Sequence, residues 1–299
     1  MPVKTSLRGW SLSAPPLAII AVFIGVPIVF GVAYTLGYTG SPNDVIAMIA
    51  LHQYTNPDGS PTIAAYQDVF STPQFWASLG VTVLVTLVAT GVIVVLAWLL
   101  SLYQRFVGGR FIKAVVSLAV IPMFIPVVIG SYGILSFYGS TGFFRSAAAA
   151  LGWEDAPAFD YTTTGVMLGT VWVNLPFAVL LITSGLQGVP QSLVDAARDV
   201  GASPVRRFFS VLLPLTAVPT IISATFTAIT VLGSFTIPYV IGPTAPNLLG
   251  VLMDKTYSAS NRPQQAEVMA VVIFVLAAFA SVPYLWANYR SAKNAGSFK

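Results

Sequence analysis

Long apolar segments separated by polar connections dominate the sequence. Six of them are close to or above the roughly 20 residues that an α-helix needs to cross a bilayer. They cover approximately residues 15–38, 75–102, 114–138, 163–186, 215–240 and 268–287. The pattern therefore predicts an all-α integral membrane protein with six transmembrane helices in a single domain, 1–299. Pro122 and Pro126 predict a bend in the third segment.

The composition supports this prediction. Of the 299 residues, 56% are hydrophobic and only 8% are charged, whereas soluble domains carry roughly 25% charged residues. So few charges cannot cover a water-facing surface on a chain of this length, and lipid must replace water over much of it. The absence of cysteine excludes disulfides, thiolate metal sites and cysteine nucleophiles.

Lysine and arginine are distributed unevenly between the two sides of the six segments. Eleven of the 14 lie on one side: Lys4, Arg8, Arg105, Arg110, Lys113, Arg198, Arg206, Arg207, Arg290, Lys293 and Lys299. Eight of the ten acidic residues lie on the other: Asp44, Asp58, Asp68, Glu154, Asp155, Asp160, Asp254 and Glu267. Because short cytoplasmic loops are enriched in lysine and arginine, we expect both termini in the cytoplasm.

No Asp, Glu, Lys, Arg or His lies well inside any of the six segments. Carriers driven by ions or protons place such groups at depth to bind the coupling ion, so a stand-alone secondary transporter is the weaker alternative. An intramembrane enzyme would need a nucleophile–base pair or metal ligands. The sequence has no phosphate-binding loop and no HExxH pair, and its one histidine, His52, lies in a loop. We expect no catalytic residue, no metal site and no cofactor.

Neutral polar residues do occur inside the fourth and fifth segments. Four of them are candidates for lining a translocation path: Asn174, Thr227, Thr230 and Ser234. Small polar residues also pack and hydrogen-bond between membrane helices without any role in transport. The sequence alone leaves both interpretations open.

The connection between the fourth and fifth segments, 192–214, is charged and punctuated by glycine, and we call it the charged segment. Its pattern predicts two short amphipathic helices. Ser192 is a candidate cap for the first, Gly201 can adopt the left-handed conformation that ends it, and Ser203–Pro204 can start the second.

Apolar residues recur at helical spacing in both predicted helices. They are Leu193, Ala196, Ala197 and Val200 in the first, and Val205, Phe208, Phe209 and Leu212 in the second. Such stripes can lie on a membrane surface, with Arg206 and Arg207 near lipid phosphates, or dock to another protein. The pattern does not distinguish these two roles.

The charged segment resembles the EAA loop of permease subunits in binding-protein-dependent ABC importers. That loop reads E-A-A, three residues, G, nine residues and I-x-L-P. Here Asp195–Ala196–Ala197 precede Gly201, and Val211–Leu212–Leu213–Pro214 follow at the matching distance. Asp195 replaces the usual Glu, and Val211 the usual Ile. Stretches 64–83 and 173–203 also resemble the family, so the likeness extends over nearly the whole chain.

The resemblance implies a multi-pass permease of the bacterial cytoplasmic (inner) membrane, with a coupling helix that sits in a cleft of a separate ATPase subunit. This chain would then hydrolyse no ATP itself. Carried over by position, the coupling contacts are Asp195, Ala196, Ala197, Gly201, Ala202, Arg206 and Pro214. The implied partners are ABC ATPase subunits, a second permease subunit (a copy or, preferably, a homologue), an extracytoplasmic binding protein, membrane lipid and a small-molecule substrate, without nucleic acid.

The resemblance also bears on the substrate. ARDVGAS and YGSTGFFRSAAAALGW are similar to the polyamine, aminoethylphosphonate, thiamine and ferric-iron branch of these permeases. This implies a polyamine or a related small amine or phosphonate. A sugar-type importer permease, in which the loop more often reads I-D-G-A, is the alternative.

Overall fold

The computed structural model describes residues 7–38, 48–244 and 246–296, and side chains within 12–289 of that range. The described residues are helical or irregular and contain no β-strand. In chain order the helices are α1 (Leu7–Ile20), α2 (Val26–Thr35), α3 (Ala64–Ser71), α4 (Pro73–Phe106), α5 (Gly109–Val120), α6 (Val127–Tyr138), α7 (Phe143–Ala150), α8 (Thr163–Gln187), α9 (Gln191–Asp199), α10 (Pro204–Arg207), α11 (Leu213–Leu215), α12 (Ala217–Leu232), α13 (Thr236–Ile241), α14 (Leu249–Asp254) and α15 (Pro263–Gly296).

Five helical stretches in the described residues are long and apolar enough to cross a bilayer. They are Leu12–Thr35, Pro73–Phe106, Val127–Ala150, Thr163–Gln187 and Pro263–Tyr289. A sixth results if Pro204–Leu215 and Ala217–Leu232, which are bent by 75° relative to each other, form one broken span. The predicted all-α membrane architecture is confirmed. Six spans are reached only when the broken pair is counted as one, and that pair runs from Pro204 to Leu232, whereas the predicted fifth segment is 215–240.

Proline breaks the third predicted segment, 114–138. Pro122 and Pro126 lack the N–H that a continuing helix needs, and Ile125, which precedes Pro126, is extended with φ −98° and ψ 125°. The apolar stretch able to span a membrane here therefore runs over Val127–Ala150 instead. The predicted bend is a full interruption of the helix.

Contacts divide the chain into two compact units, Met1–Trp76 with Leu252–Val272, and Ala77–Val251 with Ile273–Lys299. In the second unit α8 is central and packs against α5, α6, α12 and α13. Glycine permits part of this packing, because a Cβ at Gly169 would fall 2.9 Å from Cγ2 of Ile237.

A buried amide organises the first unit. Gln264 is fully buried, and its Oε1 accepts the backbone N–H of Tyr54 at 2.7 Å. Its Nε2 donates to the carbonyl oxygens of Tyr34 and Tyr54, both at 3.0 Å. Since a buried amide is costly unless it is hydrogen-bonded, these bonds fix the start of α15 against the chain around Tyr54.

Candidate functional site

The charged segment folds as two short helices joined at a glycine. α9 ends at Asp199, Gly201 has φ 77°, and α10 begins at Pro204. Ser203 caps α10, because its Oγ accepts the backbone N–H of Arg206 at 3.3 Å. The left-handed backbone at position 201 favours glycine. The sequence pattern therefore predicted the turn and the second cap correctly.

The cap predicted for the first helix is wrong. α9 begins at Gln191, directly after Pro190, so Ser192 lies inside the first helical turn. Pro190 has φ −58° and ψ 133° and provides no side-chain acceptor. Proline fixes φ near this value, so the chain enters the helix without a capping hydroxyl.

The apolar stripe predicted on α9 faces away from the rest of this chain. Leu193 is 46% exposed and Val200 is 83% exposed, whereas Val194, which lies outside the stripe, is 3% exposed. Ala196 is exposed and Ala197 is half-buried. We call Leu193, Ala196, Ala197 and Val200 the outer stripe. An exposed apolar stripe on a short helix needs a covering partner, either lipid or protein.

The apolar stripe predicted on the second helix is partly buried and partly exposed. Leu212 is buried and Phe208 half-buried, but Val205 and Phe209 are 66% and 61% exposed. A π-helical turn at Phe208–Leu212 shifts the spacing, so four residues at α-helical intervals do not share one environment.

The seven residues predicted as coupling contacts remain accessible to a partner. Five of them are exposed, namely Asp195, Ala196, Gly201, Arg206 and Pro214. The other two, Ala197 and Ala202, are half-buried. Asp195 Oδ1 accepts one bond, from Nε2 of Gln191 at 3.1 Å. A Cβ at Gly201 would meet no atom within 4 Å.

The inward side of the charged segment packs on α4 and α8. Val194 and Leu212 join a buried apolar cluster that includes Trp98 and Ile182. The rings of Trp98 and Phe208 meet edge to face, with centroids 5.0 Å apart. Edge-to-face pairs add to the free energy of apolar burial. α9 and the π-helical turn after α10 are therefore packed on α4 and α8, while Leu193, Ala196 and Val200 of the outer stripe stay exposed.

Arg105, in the last turn of α4, makes the most extensive polar contact with this region. Its guanidinium donates to the carbonyl oxygens of Leu186 and, at 2.8 Å, Val189, and to Oε1 of Gln191 at 3.3 Å. It thereby links the end of α4 to the end of α8 and the start of α9. The sequence assigned Arg105 only to membrane orientation, because its partners are more than 80 residues away and no local pattern indicates them.

The four candidate path residues lie on or just after two helices that pack together, α8 and α12. Asn174 and Thr230 donate within their own helices, to the carbonyl oxygens of Thr170 (2.9 Å) and Phe226 (2.8 Å). Thr227 is buried, and its hydroxyl has no hydrogen-bond partner among the described residues. Ser234 follows α12 and is half-buried.

Hydrogen bonds from serine perturb the pKa of two acidic side chains outside the helices. Hydrogen bonds from Ser60 lower the pKa of Asp58, and hydrogen bonds from Ser140 lower the pKa of Asp160. Within the described residues, no three His, Asp or Glu side chains are grouped as metal ligands.

Comparison with known proteins shows which proteins this chain is similar to. Residues 93–293 match the family model described as "Binding-protein-dependent transport system inner membrane component". The chain is 29% identical to the probable ABC transporter permease protein y4oQ of Sinorhizobium fredii, over 97% of this chain and 92% of that protein.

Two further relatives carry substrate names. The trehalose/maltose transport system permease protein MalF of Thermococcus litoralis is 28% identical, over 93% of this chain and 92% of its own. The spermidine/putrescine transport system permease protein PotB of Haemophilus influenzae is 25% identical, over 76% and 79%.

A solved structure shares the fold. It is a bacterial alginate ABC transporter in complex with an alginate pentasaccharide-bound periplasmic protein. Its matched chain superimposes with a TM-score of 0.68 at 17% identity, over 96% of this chain and 95% of that one.

Proposed function

The chain belongs to the family of binding-protein-dependent transport system inner membrane components, as the permease subunit of an ABC importer, and we propose that the α9–α10 surface is its joint with the ATPase. In this family ATP is hydrolysed by a separate subunit. A permease must therefore present a surface through which nucleotide-driven motion reaches its membrane helices.

The observation that carries the proposal is the contrast between the two sides of α9. Val194 anchors one side in the apolar cluster, while the outer stripe is uncovered and carries Asp195 beside it. Asp195 accepts a single bond from a neutral amide, which leaves its charge available to a basic group across an interface. An exposed apolar stripe flanked by an available charge is typical of a protein-binding surface.

The same contacts provide a route for the motion. A displacement of α9 by the ATPase would move Gln191 and Val189, which Arg105 ties to α4. It would also move Val194, which packs on α8 and α4. The joint would thus pull on two of the membrane helices at once.

The remaining partners follow from the family. The alginate transporter was solved with a periplasmic binding protein, which supports an extracytoplasmic binding protein as the donor of substrate here. A second permease subunit, a homologue of this chain, would complete the path. The position of both termini in the cytoplasm stays a prediction from charge distribution.

For the substrate, the sequence motif and the chemistry of the candidate path favour different classes. ARDVGAS and the similarity to a spermidine/putrescine permease favour a polyamine. The candidate path residues Asn174, Thr227, Thr230 and Ser234 are all neutral, and a trehalose/maltose permease matches more of the chain. Because a cation in a low-dielectric path requires a counter-charge, we place an uncharged, hydroxyl-rich solute first and a polyamine second.

Site-directed cross-linking tests the joint directly. The chain has no cysteine, so single cysteines can be introduced at Ala196, which is exposed, and at Val194, which is 3% exposed. In the assembled importer, Ala196→Cys should cross-link to the ATPase subunit through a short bifunctional reagent, and Val194→Cys should not. If Ala196→Cys reacts only with lipid-soluble probes and never with the ATPase, the outer stripe is a membrane-facing surface and the proposal is wrong.

A further inference from the structure

Behind the charged segment lies an open apolar groove of about 470 Å³. One wall is the end of α4, with Leu99, Tyr103 and Phe106, and the other includes Phe208 and Leu212. Its volume is within the range of small-molecule sites, roughly 300–1,000 Å³. The groove faces away from the outer stripe, because Val194, whose side chain lies opposite the stripe, contributes to its lining.

One charged side chain, Arg207, is present in the groove lining. Its Nε is buried and has no hydrogen-bond partner among the described residues. A buried guanidinium nitrogen without an acceptor is unfavourable. A planar guanidinium next to apolar walls is suited to a phosphate group, which can accept two parallel N–H bonds.

The surroundings of the groove are those of a membrane interface. Tyr103 and Phe106 are 45% and 47% exposed, and Leu99 and Val107 are 57% and 63% exposed. In a membrane protein such residues meet acyl chains, and tyrosine lies near the headgroups. The basic residues around the charged segment predict that this end faces the cytoplasmic leaflet, where anionic lipids bind basic pockets between helices.

We propose that this groove binds an anionic phospholipid, with its phosphate on Arg207 and an acyl chain along Leu99 and Phe106. The lipid phosphate would accept hydrogen bonds from the guanidinium of Arg207, and the acyl chain would cover the apolar walls. It would also place a lipid directly behind the helices that form the proposed joint. The site itself does not depend on the ATPase, so it can be tested on the isolated chain.

The test is native mass spectrometry of the full chain, purified in detergent, stripped of lipid and titrated with palmitoyl-oleoyl phosphatidylglycerol or phosphatidylcholine. The wild type should hold one phosphatidylglycerol more tightly than phosphatidylcholine. Arg207→Gln should weaken that binding about tenfold, the loss expected for one charge-assisted hydrogen bond. Arg198→Gln, at an exposed arginine on α9, should leave it unchanged. Glycerol 3-phosphate should not compete, because it has no acyl chain to fill the groove.

A second pair of variants tests the apolar part of the site. Leu99 lines the groove, and Val95, one turn earlier on α4, does not, yet each is 57% exposed. Leu99→Trp should fill the groove and abolish the preferential binding, while Val95→Trp should retain it. The proposal is overturned if both lipids bind the wild type equally, or if Arg207→Gln and Leu99→Trp match the wild type.

Discussion

The guanidinium of Arg105 donates a hydrogen bond of 2.8 Å to the carbonyl oxygen of Val189. Val189 lies in the three-residue turn between α8 and α9, and the same guanidinium also reaches the carbonyl oxygen of Leu186 in the last turn of α8. The final carbonyls of a helix lack intrahelical donors, and a cation there also interacts favourably with the helix dipole. Arg105 therefore holds together the three helix ends that meet at the proposed joint.

Replacing Arg105 should loosen this connection. Arg105→Gln should lower the free energy of unfolding by about 1.5–3 kcal/mol, the range for hydrogen bonds to charged groups, and reduce transport. Arg105→Lys should behave similarly, because an ammonium cannot reproduce the spread of a guanidinium. Arg110→Gln, at an exposed arginine of α5, is the matched control. Thermal unfolding in detergent and substrate uptake by the assembled importer measure the two effects. If Arg105→Gln and Arg110→Gln show the same unfolding temperature and the same uptake, Arg105 does not connect the three helix ends as inferred.

Charge reversal at Asp195 should affect assembly and leave the fold intact. Asp195 is exposed and accepts only the Gln191 amide, so Asp195→Lys should not change membrane abundance. It should reduce co-purification of the ATPase and uptake of substrate, since a basic group across the joint would meet a like charge. Asp195→Glu, which restores the usual residue of the resembled loop, should retain both. Normal ATPase retention by Asp195→Lys would refute the assignment of this surface.

Gly201 should be sensitive to backbone conformation and insensitive to side-chain size. Its φ of 77° is unfavourable for residues with a Cβ, yet a Cβ there would meet no atom of this chain within 4 Å. Gly201→Val should therefore cost about 1–3 kcal/mol as backbone strain and weaken ATPase binding. Gly201→Asn should be nearly neutral, because asparagine tolerates this conformation. Membrane level and ATPase pull-down distinguish them. If asparagine is as damaging as valine, side-chain volume at the interface is the cause instead.

A buried hydrogen bond within the second unit offers a test of the fold. The Oγ1 of Thr82 accepts the backbone N–H of Leu249 at 2.8 Å, and both residues are buried. Thr82→Val should leave that N–H without an acceptor, at a cost of about 1–3 kcal/mol. Thr86→Val removes a hydroxyl that only donates to the carbonyl of Thr82 in its own helix, and should cost less. Thermal unfolding of both proteins compares them. A smaller loss for Thr82→Val would contradict the importance of this bond.

The parts of the fold predictable from sequence are those fixed by local patterns. The fourth segment, predicted at 163–186, is α8 at Thr163–Gln187. The helix was predictable because the apolar run is long and because Thr162 and Gly188 mark its two ends. Gly201 and Ser203 were predictable for the same reason, since each acts on its own few residues. The break in the third segment was only partly predicted, because proline indicates a bend without its size.

The parts that sequence could not provide depend on contacts between distant residues. Periodicity grouped Leu193 with Val200 but could not tell which side of α9 would be buried, and the buried residue is Val194. Arg105 donates to backbone carbonyl oxygens. Every residue has such an oxygen, so the pattern of side chains along the sequence could not predict these partners. The groove and Arg207's buried Nε likewise arise only when α4 and the charged segment come together.

Membrane orientation gives the last prediction. The concentration of lysine and arginine on one side predicts that the charged segment is cytoplasmic and that the connection around Ser60 is outside. Ser60 and Ser192 are both exposed. Ser192 is a suitable cysteine site because it does not cap a helix, whereas Ser203 does. In intact cells or spheroplasts, a membrane-impermeant maleimide should label Ser60→Cys. It should label Ser192→Cys only after the membrane is permeabilised.

A cysteine at Val179, which is fully buried, is the control and should stay unlabelled in both conditions. Because the natural chain has no cysteine, each signal comes from one position. Labelling of both Ser60→Cys and Ser192→Cys from outside would place the charged segment on the wrong side for an ATPase joint. It would also remove the groove from the cytoplasmic leaflet, so this one measurement bears on the joint and on the lipid site together.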